Sequence, residues 1–535
     1  MKFYTILQEN WRNVNIETFY VFLACLSVFL VIQFIQWLMY IRSLPPGPWG
    51  IPYLGYIPFI KPKLYQQYDE LAKKYGPIFS TRQGNQLIVV LSDANIIRKA
   101  FNLKEYTDRP HTEFTNILGG YGFINTDGTL WENQRKFLHK IFRKLGMTSG
   151  ANRSNLEKKL KAEIYMFLWT LKKKKGAPTN ISPSLTMSVS NIICGLIMDK
   201  RFSNESQFQE FMSFFDKGFE LFASLGILNY LPSLRFLPFM RKNLSKFAEH
   251  LDRMRNSFER IIAERRANLD RNNLKSIVDF YLDEMQQVEK EDSENQLFEG
   301  ENFNLHLQQI VADLFSAGME TVKSFVKWSI ILMLHYPEAA KAVQEELDRV
   351  VERSKMPKLE DLPSLPITEA TIQEILRIIS HVPLGTTHAT TRNMTLHGYT
   401  IPAGSQIIPL LYSLHMNPEL WDEPKAFRPA RFLSSEGKLL PKPTYFMPFG
   451  IGKRVCLGQD MARQEIFLFF SSLMHTFDFA LPEGASLPSL EGMFGITISP
   501  DPYEVCLLQR SPSPMDNFCD DDEFIDEPLR NVGSH

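Results

Sequence analysis

The sequence predicts a mainly α domain with a small β region, set behind a single N-terminal transmembrane anchor. Three observations carry that reading. Phe19 to Ile41 is an uncharged apolar run of bilayer length. Apolar residues at helical spacing fill most of the remaining chain, and the β-like stretches are few and short.

Residues 1–18 precede the span and residues 19–41 form it. The run is too long for a signal peptide and no small-residue cleavage site follows it, so it reads as an anchor. Lys2 and Arg12 are offset by Glu9 and Glu17 on one side, while Arg42, Lys61 and Lys63 follow on the other. The positive-inside bias places residues 1–18 in the lumen and the bulk of the chain in the cytosol. Trp37 and Tyr40 suit the membrane interface.

Residues 42–52 carry prolines at 45, 46, 48 and 52, which fix φ and remove backbone donors, so this segment reads as a stiff hinge. From 53 to 510 no second composition shift marks a boundary, which predicts one catalytic domain. LEKKLKAEIYMFLWTLKKKK, SKFAEHLDRMRNSFERIIAERRANL and PEAAKAVQEELDRVVERS read as amphipathic helices. PIFSTRQGNQLIVVLS, MTLHGYTIPAGSQIIPLL and ITISPDPYEVCLLQR read as strands. Lys172–Lys175 reads as a solvated helix end, and the acidic residues 511–535 as a disordered tail.

With 44% hydrophobic and 22% charged residues, the 535-residue chain can bury a large core. Its net charge of -1 gives no reason to expect nucleic acid as a partner. The five cysteines (25, 194, 456, 506 and 519) are scattered without a CxxC pair, which argues for a reducing compartment and against a disulfide framework. Sequons begin at Asn152, Asn180, Asn204, Asn243 and Asn393, and a cytosolic domain leaves them unused.

Cys456 is the candidate reactive group. It stands in FGIGKRVCLG with Gly450, Gly452 and Gly458, beside Arg454 and just before a helical run. The glycines allow sharp turns and close approach of a flat group. The helix N-terminus favours a thiolate, and Arg454 adds a cation that could meet a carboxylate in a paired, two-bond geometry. One thiolate in such a surround suits a single open metal position, as at a haem iron, and lacks the three further ligands that tetrahedral zinc requires.

FGIGKRVCLG resembles the haem-binding loop of the cytochrome P-450 family, and other family motifs follow in register. EILR supplies Glu374 and Arg377 at i,i+3, and FRPARF supplies Arg431; the resemblance implies a buried network bracing the haem loop, with Ala430 a departure from the common glutamate. AGMETV, in a long apolar helix, is similar to the oxygen-binding groove. There Ala317 and Thr321 share a face, Gly318 removes bulk, and Glu320 beside Thr321 implies an acid–alcohol proton relay; Val322 replaces a common second hydroxyl. The Thr321 hydroxyl can bond back to the carbonyl one turn earlier and open the helix there.

By the same resemblance Cys456 is the axial iron ligand and Phe449 flanks it. Trp131, Arg135, His388 and Arg454 would bind the haem propionates. Lys136, Lys140, Arg143 and Lys144 would face an acidic electron donor, the NADPH-cytochrome P-450 reductase, with cytochrome b5 as a further partner. The implied protein is a microsomal haem b monooxygenase, single-pass in the endoplasmic reticulum membrane, drawing NADPH electrons through the reductase. The loop from His111 to Phe123, FFDKGFELFASLGILNY, HVPLGTT and GMFGIT are rich in apolar residues and would wall a pocket for a large apolar substrate. LPEGASLPSLEGMFGITISPDPYEVCLLQR and GTTHATTRNMTLHGYTIPAG resemble the arthropod ecdysteroid 26-hydroxylase branch, which implies hydroxylation and inactivation of a moulting steroid. A broad xenobiotic monooxygenase, a reductase-independent isomerase and a non-catalytic haem sensor or carrier are the rival readings.

Overall fold

In the computed structural model the uncharged run forms helix α1, Ile16–Ser43, whose segment Phe19–Ser43 is apolar, wholly unburied and long enough to cross a membrane. The structure describes residues 16–148, 152–291, 297 and 302–516, so the expectations for residues 1–15 and for most of the acidic tail lie outside it. The helices that follow are α2 (Leu64–Tyr75), α3 (Ala94–Phe101), α4 (Glu113–Leu118), α5 (Gly128–Lys144), α6 (Arg153–Lys172) and α7 (Ser182–Met198). Then come α8 (Glu205–Leu225), α9 (Pro238–Ala267), α10 (Ile277–Glu291), α11 (Phe303–His335), α12 (Pro337–Val350), α13 (Pro366–Ile379), α14 (Leu411–His415) and α15 (Gln459–Thr476).

Local chemistry starts several of them. Asp93 caps α3 by accepting from Asn95 N and Ile96 N, each at 2.9 Å. Asn204, one of the sequon residues, caps α8 through Ser206 N at 2.9 Å and Gln207 N at 3.4 Å. Proline sits at the first turn of α9, α12 and α13, where its missing N–H breaks no helical bond.

A four-stranded sheet has the order β1-β2-β6-β3, from β1 (Ile78–Gln83), β2 (Gln86–Leu91), β6 (Gln406–Pro409) and β3 (His388–Ala389). β1 and β2 form a hairpin with Ile78 opposite Leu91, and β6 joins β2 in parallel with Ile88 opposite Gln406. Two-stranded pairs come from β4 (Met394–Leu396) with β5 (Tyr399–Ile401), from β7 (Phe477–Ala480) with β10 (Cys506–Gln509), and from β8 (Met493–Phe494) with β9 (Ile498–Ser499). The three strand-like stretches of the sequence all supply strands; β3, β7 and β8 lie outside them, and β7 pairs with β10 in the last of them.

α11 runs 33 residues through the centre, and it, α7 and α15 are each buried over most of their length. The expected hinge is docked instead of free. Ser80 N donates to Pro46 O at 2.8 Å and Ser80 Oγ to Pro45 O at 2.7 Å, so residues 45–46 lie along β1. A side chain at Gly47 would collide with the Ser80 carbonyl oxygen at 1.7 Å. The folded body also passes the expected limit at Arg510: Met515 is fully buried and Lys172 Nζ donates to its carbonyl at 2.7 Å.

Candidate functional site

The Cys456 loop is closed by its own backbone. Cys456 N donates to Phe449 O at 3.0 Å, Gly450 N to Met447 O at 3.0 Å and Val455 N to Gly452 O at 3.1 Å. Gly450 and Gly452 adopt φ of 75° and 78°, and a Cβ on Gly452 would fall 2.1 Å from Phe101 O. Gly458 then caps α15.

Cys456 is solvent-accessible, yet protein atoms crowd it enough for burial to push its thiol upward, so it faces an internal hollow and not the outer surface. The Gly458 N–H and Arg135 oppose that push, while Asp460 reinforces it. The helix terminus anticipated from sequence is therefore present and Arg135 adds a cation that was not assigned this role, but burial outweighs both in the unligated thiol. A metal cation at the sulfur reverses the balance, because a coordinating thiol is deprotonated outright.

On α11, Ala317 is exposed and Thr321 half-exposed although most of the helix is buried, which marks internal space beside it. Thr321 Oγ1 donates to Ala317 O at 2.8 Å, the back-bond expected from sequence, while α11 remains continuous through it. Gly318 serves a different purpose from the one anticipated. A Cβ there would meet Ile193 Cδ1 of α7 at 2.8 Å, so this glycine lets two core helices pack and does not clear the groove. Glu320 Oε1 accepts from Ser499 Oγ at 3.2 Å and Oε2 pairs with Lys323, partners that the sequence reading did not assign.

At the rim of the hollow three guanidiniums converge. Arg454 donates from Nε to Thr107 O at 2.7 Å and also to Thr126 O, and its Cζ lies 4.0 Å from the Trp131 ring centroid. Arg135 donates to Val455 O at 2.7 Å, inside the cysteine loop. Arg109, absent from the sequence-level candidates, donates from Nε to Ile124 O at 2.9 Å and from Nη1 to Thr387 O at 2.7 Å. Burial, then neighbouring guanidiniums, push Arg109 down to about 10 and Arg454 to about 8; Asp127 and Asp108 partly counter this at Arg454. Among the described residues none of the three is in an ion pair, and the Trp131 Nε1 donor is buried without an acceptor.

His388 stacks on Phe101 at 4.0 Å between centroids, and its Nδ1 lies 2.7 Å from Tyr106 O. Burial first, then Arg109 and Arg454, hold it well below the usual histidine range. Nδ1 must carry the proton given to that carbonyl, so Nε2 donates only when the ring is cationic. A carboxylate beside it favours that form. Uncompensated cations, an orphaned indole N–H and a histidine awaiting an anion together fit a flat apolar group bearing carboxylates at one edge, which is the shape and charge of haem.

Behind the loop, Arg377 clasps Glu374 through Nε at 2.8 Å and Nη2 at 2.7 Å, both side chains fully buried. Arg431 Nε reaches Glu374 Oε1 at 3.0 Å, and Arg428 N donates to the same oxygen at 2.9 Å. The network touches the loop through His415: its carbonyl accepts from Arg377 at 2.8 Å, and its Nε2 accepts from Met447 N at 3.3 Å. Nε2 is thus an acceptor, so Nδ1–H donates to Ser380 Oγ at 3.0 Å and the ring is neutral, in keeping with burial lowering it to about 3.

Lys136, Lys140, Arg143 and Lys144 are exposed on α5, the helix that carries Trp131 and Arg135. Of the expected pocket walls, Phe215 of α8 packs within a buried aromatic cluster with Phe211, Phe258 and Phe315, so it is a core residue.

Comparison with known proteins agrees with this geometry. The family model for cytochrome P450 matches residues 45–507. The chain is 44% identical to cytochrome P450 18a1 of Drosophila melanogaster over 516 residues, 95% of this chain and 94% of that one. It is 35% identical to human cytochrome P450 2U1 over 502 residues, 88% and 90% of the two chains, and 32% identical to cytochrome P450 2L1 of Panulirus argus over 480 residues, 88% and 95%.

Proposed function

The chain belongs to the cytochrome P450 family, and from that premise we propose that this monooxygenase hydroxylates an ecdysteroid at the side-chain terminus, position 26, and so inactivates a moulting hormone. The observation that carries the substrate is the likeness of residues 385–404 and 481–510 to the ecdysteroid 26-hydroxylase branch, within a similarity to an insect relative that extends over 95% of the chain.

Haem bound in the hollow supplies oxygen activation and C–H oxidation. Cys456 would be its thiolate ligand, which favours O–O cleavage. Arg109, Arg135, Arg454, Trp131 and cationic His388 would hold the carboxylate edge by charge-assisted hydrogen bonds. Phe449 would flank that ligand, and the small side chain of Ala317 would leave room for the flat group beside α11. Thr321 passes protons supplied by Glu320 through water, and its hydroxyl is already oriented by the Ala317 carbonyl. The basic face of α5 receives the NADPH-cytochrome P450 reductase, with cytochrome b5 as a second donor. α1 holds the protein in the endoplasmic reticulum membrane as a single-pass protein with its body in the cytosol.

The test is turnover of ecdysone in microsomes with reductase and NADPH, beside a panel of unrelated drugs, with Cys456→Ala as control. A 26-hydroxylated product that vanishes in the control supports the reading. Equal turnover of the drugs favours a broad xenobiotic enzyme, and product formation without NADPH favours an isomerase. Loss of the thiolate-type Soret band in the reduced, carbon-monoxide-bound protein favours a sensor or carrier.

A further inference from the structure

Glu320 is the acid of the relay just described, and both of its carboxylate oxygens are engaged elsewhere. Oε1 accepts from Ser499 Oγ at 3.2 Å and Oε2 pairs with Lys323 Nζ. The Thr321 hydroxyl is given to the Ala317 carbonyl. Successive helical residues point about 100° apart, so Glu320 faces within about 20° of Lys327 and about 60° of Lys323, but about 100° away from Thr321.

The serine is not free to follow Glu320. Ile498 O, beside Ser499, accepts from Trp328 Nε1 at 2.8 Å and Ser324 Oγ at 3.3 Å. Beyond it, Lys327 Nζ donates to Pro500 O at 3.4 Å and Tyr503 Oη to Lys327 O at 2.8 Å. Strand β9 is thus tied to α11 on either side of Ser499. On the solvent side, Asp216 of α8 is exposed and lies within the fields of both Lys323 and Glu320.

We propose that Lys323 and Ser499 form a clamp that parks the Glu320 carboxylate away from Thr321, which makes Lys323 a positioning residue that limits how fast Glu320 hands on a proton. This rests on the reading of Glu320 as the relay acid. In each cycle Glu320 releases one proton through water toward Thr321 and regains one from water on the Asp216 side, while Lys323 keeps its own. The charged and polar groups facing Glu320 are Lys323 and Lys327 on α11, Asp216 on α8 and Ser499 on β9, and Asp501 just beyond that strand acts on Lys327.

The experiment compares Lys323→Met, Lys323→Gln, Ser499→Ala and Glu320→Gln in the full-length holoenzyme. Peroxide released per NADPH consumed should fall about two- to fivefold in Lys323→Met, the range that loss of a partly exposed ion pair can move. The solvent isotope effect on turnover should fall toward unity, with Ser499→Ala changing in the same direction but less. Independently of turnover, the infrared carboxylate stretching band that Glu320→Gln removes should change frequency in Lys323→Met, because the carboxylate loses its charged hydrogen-bond partner. Lys323→Gln repeats these measurements should the methionine variant fail to fold. Unchanged or increased peroxide release in both lysine variants overturns the clamp, as does an unmoved band. If Glu320→Gln alone leaves peroxide release unchanged, the relay reading fails, and the band still reports whether Lys323 holds the carboxylate.

Discussion

At Glu374 one buried carboxylate is shared by the Arg377 guanidinium, the Arg431 guanidinium and the Arg428 backbone N–H. Removing it leaves two arginines without their counter-charge, at least one of them wholly buried. Glu374→Ala should therefore destabilise by about 3–5 kcal/mol, the usual result of breaking a buried pair from one side. Thermal unfolding and haem retention measure it, and near-native retention in that variant would contradict a bracing role. Arg377→Lys should be damaging too, because a lysine cannot reproduce the two-bond clasp or the contacts to His415 O and Pro424 O. The sequence pointed to Glu374, Arg377, Arg431 and Cys456 because each lies in a short motif that resembles the family's, and the i,i+3 spacing of Glu374 and Arg377 carries its own geometry. It did not reveal Arg109, whose partners Ile124 O and Thr387 O are 15 and 278 residues away. No local spacing encodes contacts of that kind.

Helices α11 and α7 illustrate the same limit at the level of elements. Their lengths and apolar character are legible in the sequence, but the contact between Gly318 and Ile193 arises only when the two helices cross. Gly318→Ala should therefore destabilise by about 1–3 kcal/mol through overpacking, and Ile193→Val in the same chain should recover part of that loss. Chemical denaturation of both variants checks it, and a lack of rescue would separate Gly318 from this packing role. On α15, Glu465 is buried, its Oε1 has no hydrogen-bond partner, and burial raises it to about 8. The folded state thus binds a proton more tightly than the unfolded chain, whose glutamate titrates near about 4.3. Stability from this group is complete below that lower value and declines as pH rises toward about 8. Glu465→Gln should match the wild type in thermal stability near pH 4 and exceed it progressively toward pH 8. Parallel curves across that range would mean that Glu465 is not held protonated.

Across the whole molecule, the division between anchor and body falls earlier than the proline content suggests. The sequence signals stiffness from Pro45 to Pro52, and stiffness without a visible partner reads as a hinge. The partner is β1 with the turn after it, well downstream in sequence: Ser80 bonds Pro45 and Pro46, Tyr56 N donates to Arg82 O, and Gly84 N donates to Leu54 O at 3.1 Å. The segment from Pro45 to Tyr56 is therefore part of the folded body, whereas Phe19–Ser43 buries nothing against it. Deleting residues 1–43 should release the protein from membranes while leaving its unfolding midpoint within about 1 kcal/mol of full length, the scale of a change that breaks no buried contact. Deleting residues 1–52 also removes both Ser80 bonds and the buried Leu44 and Pro45, and should cost about 2–4 kcal/mol, at roughly 1 kcal/mol per hydrogen bond plus the lost apolar burial. Urea unfolding of the two truncations in detergent-free buffer distinguishes these outcomes. Equal midpoints would return residues 45–52 to the status of a linker, and a loss already present in the shorter deletion would show that α1 supports the body it anchors.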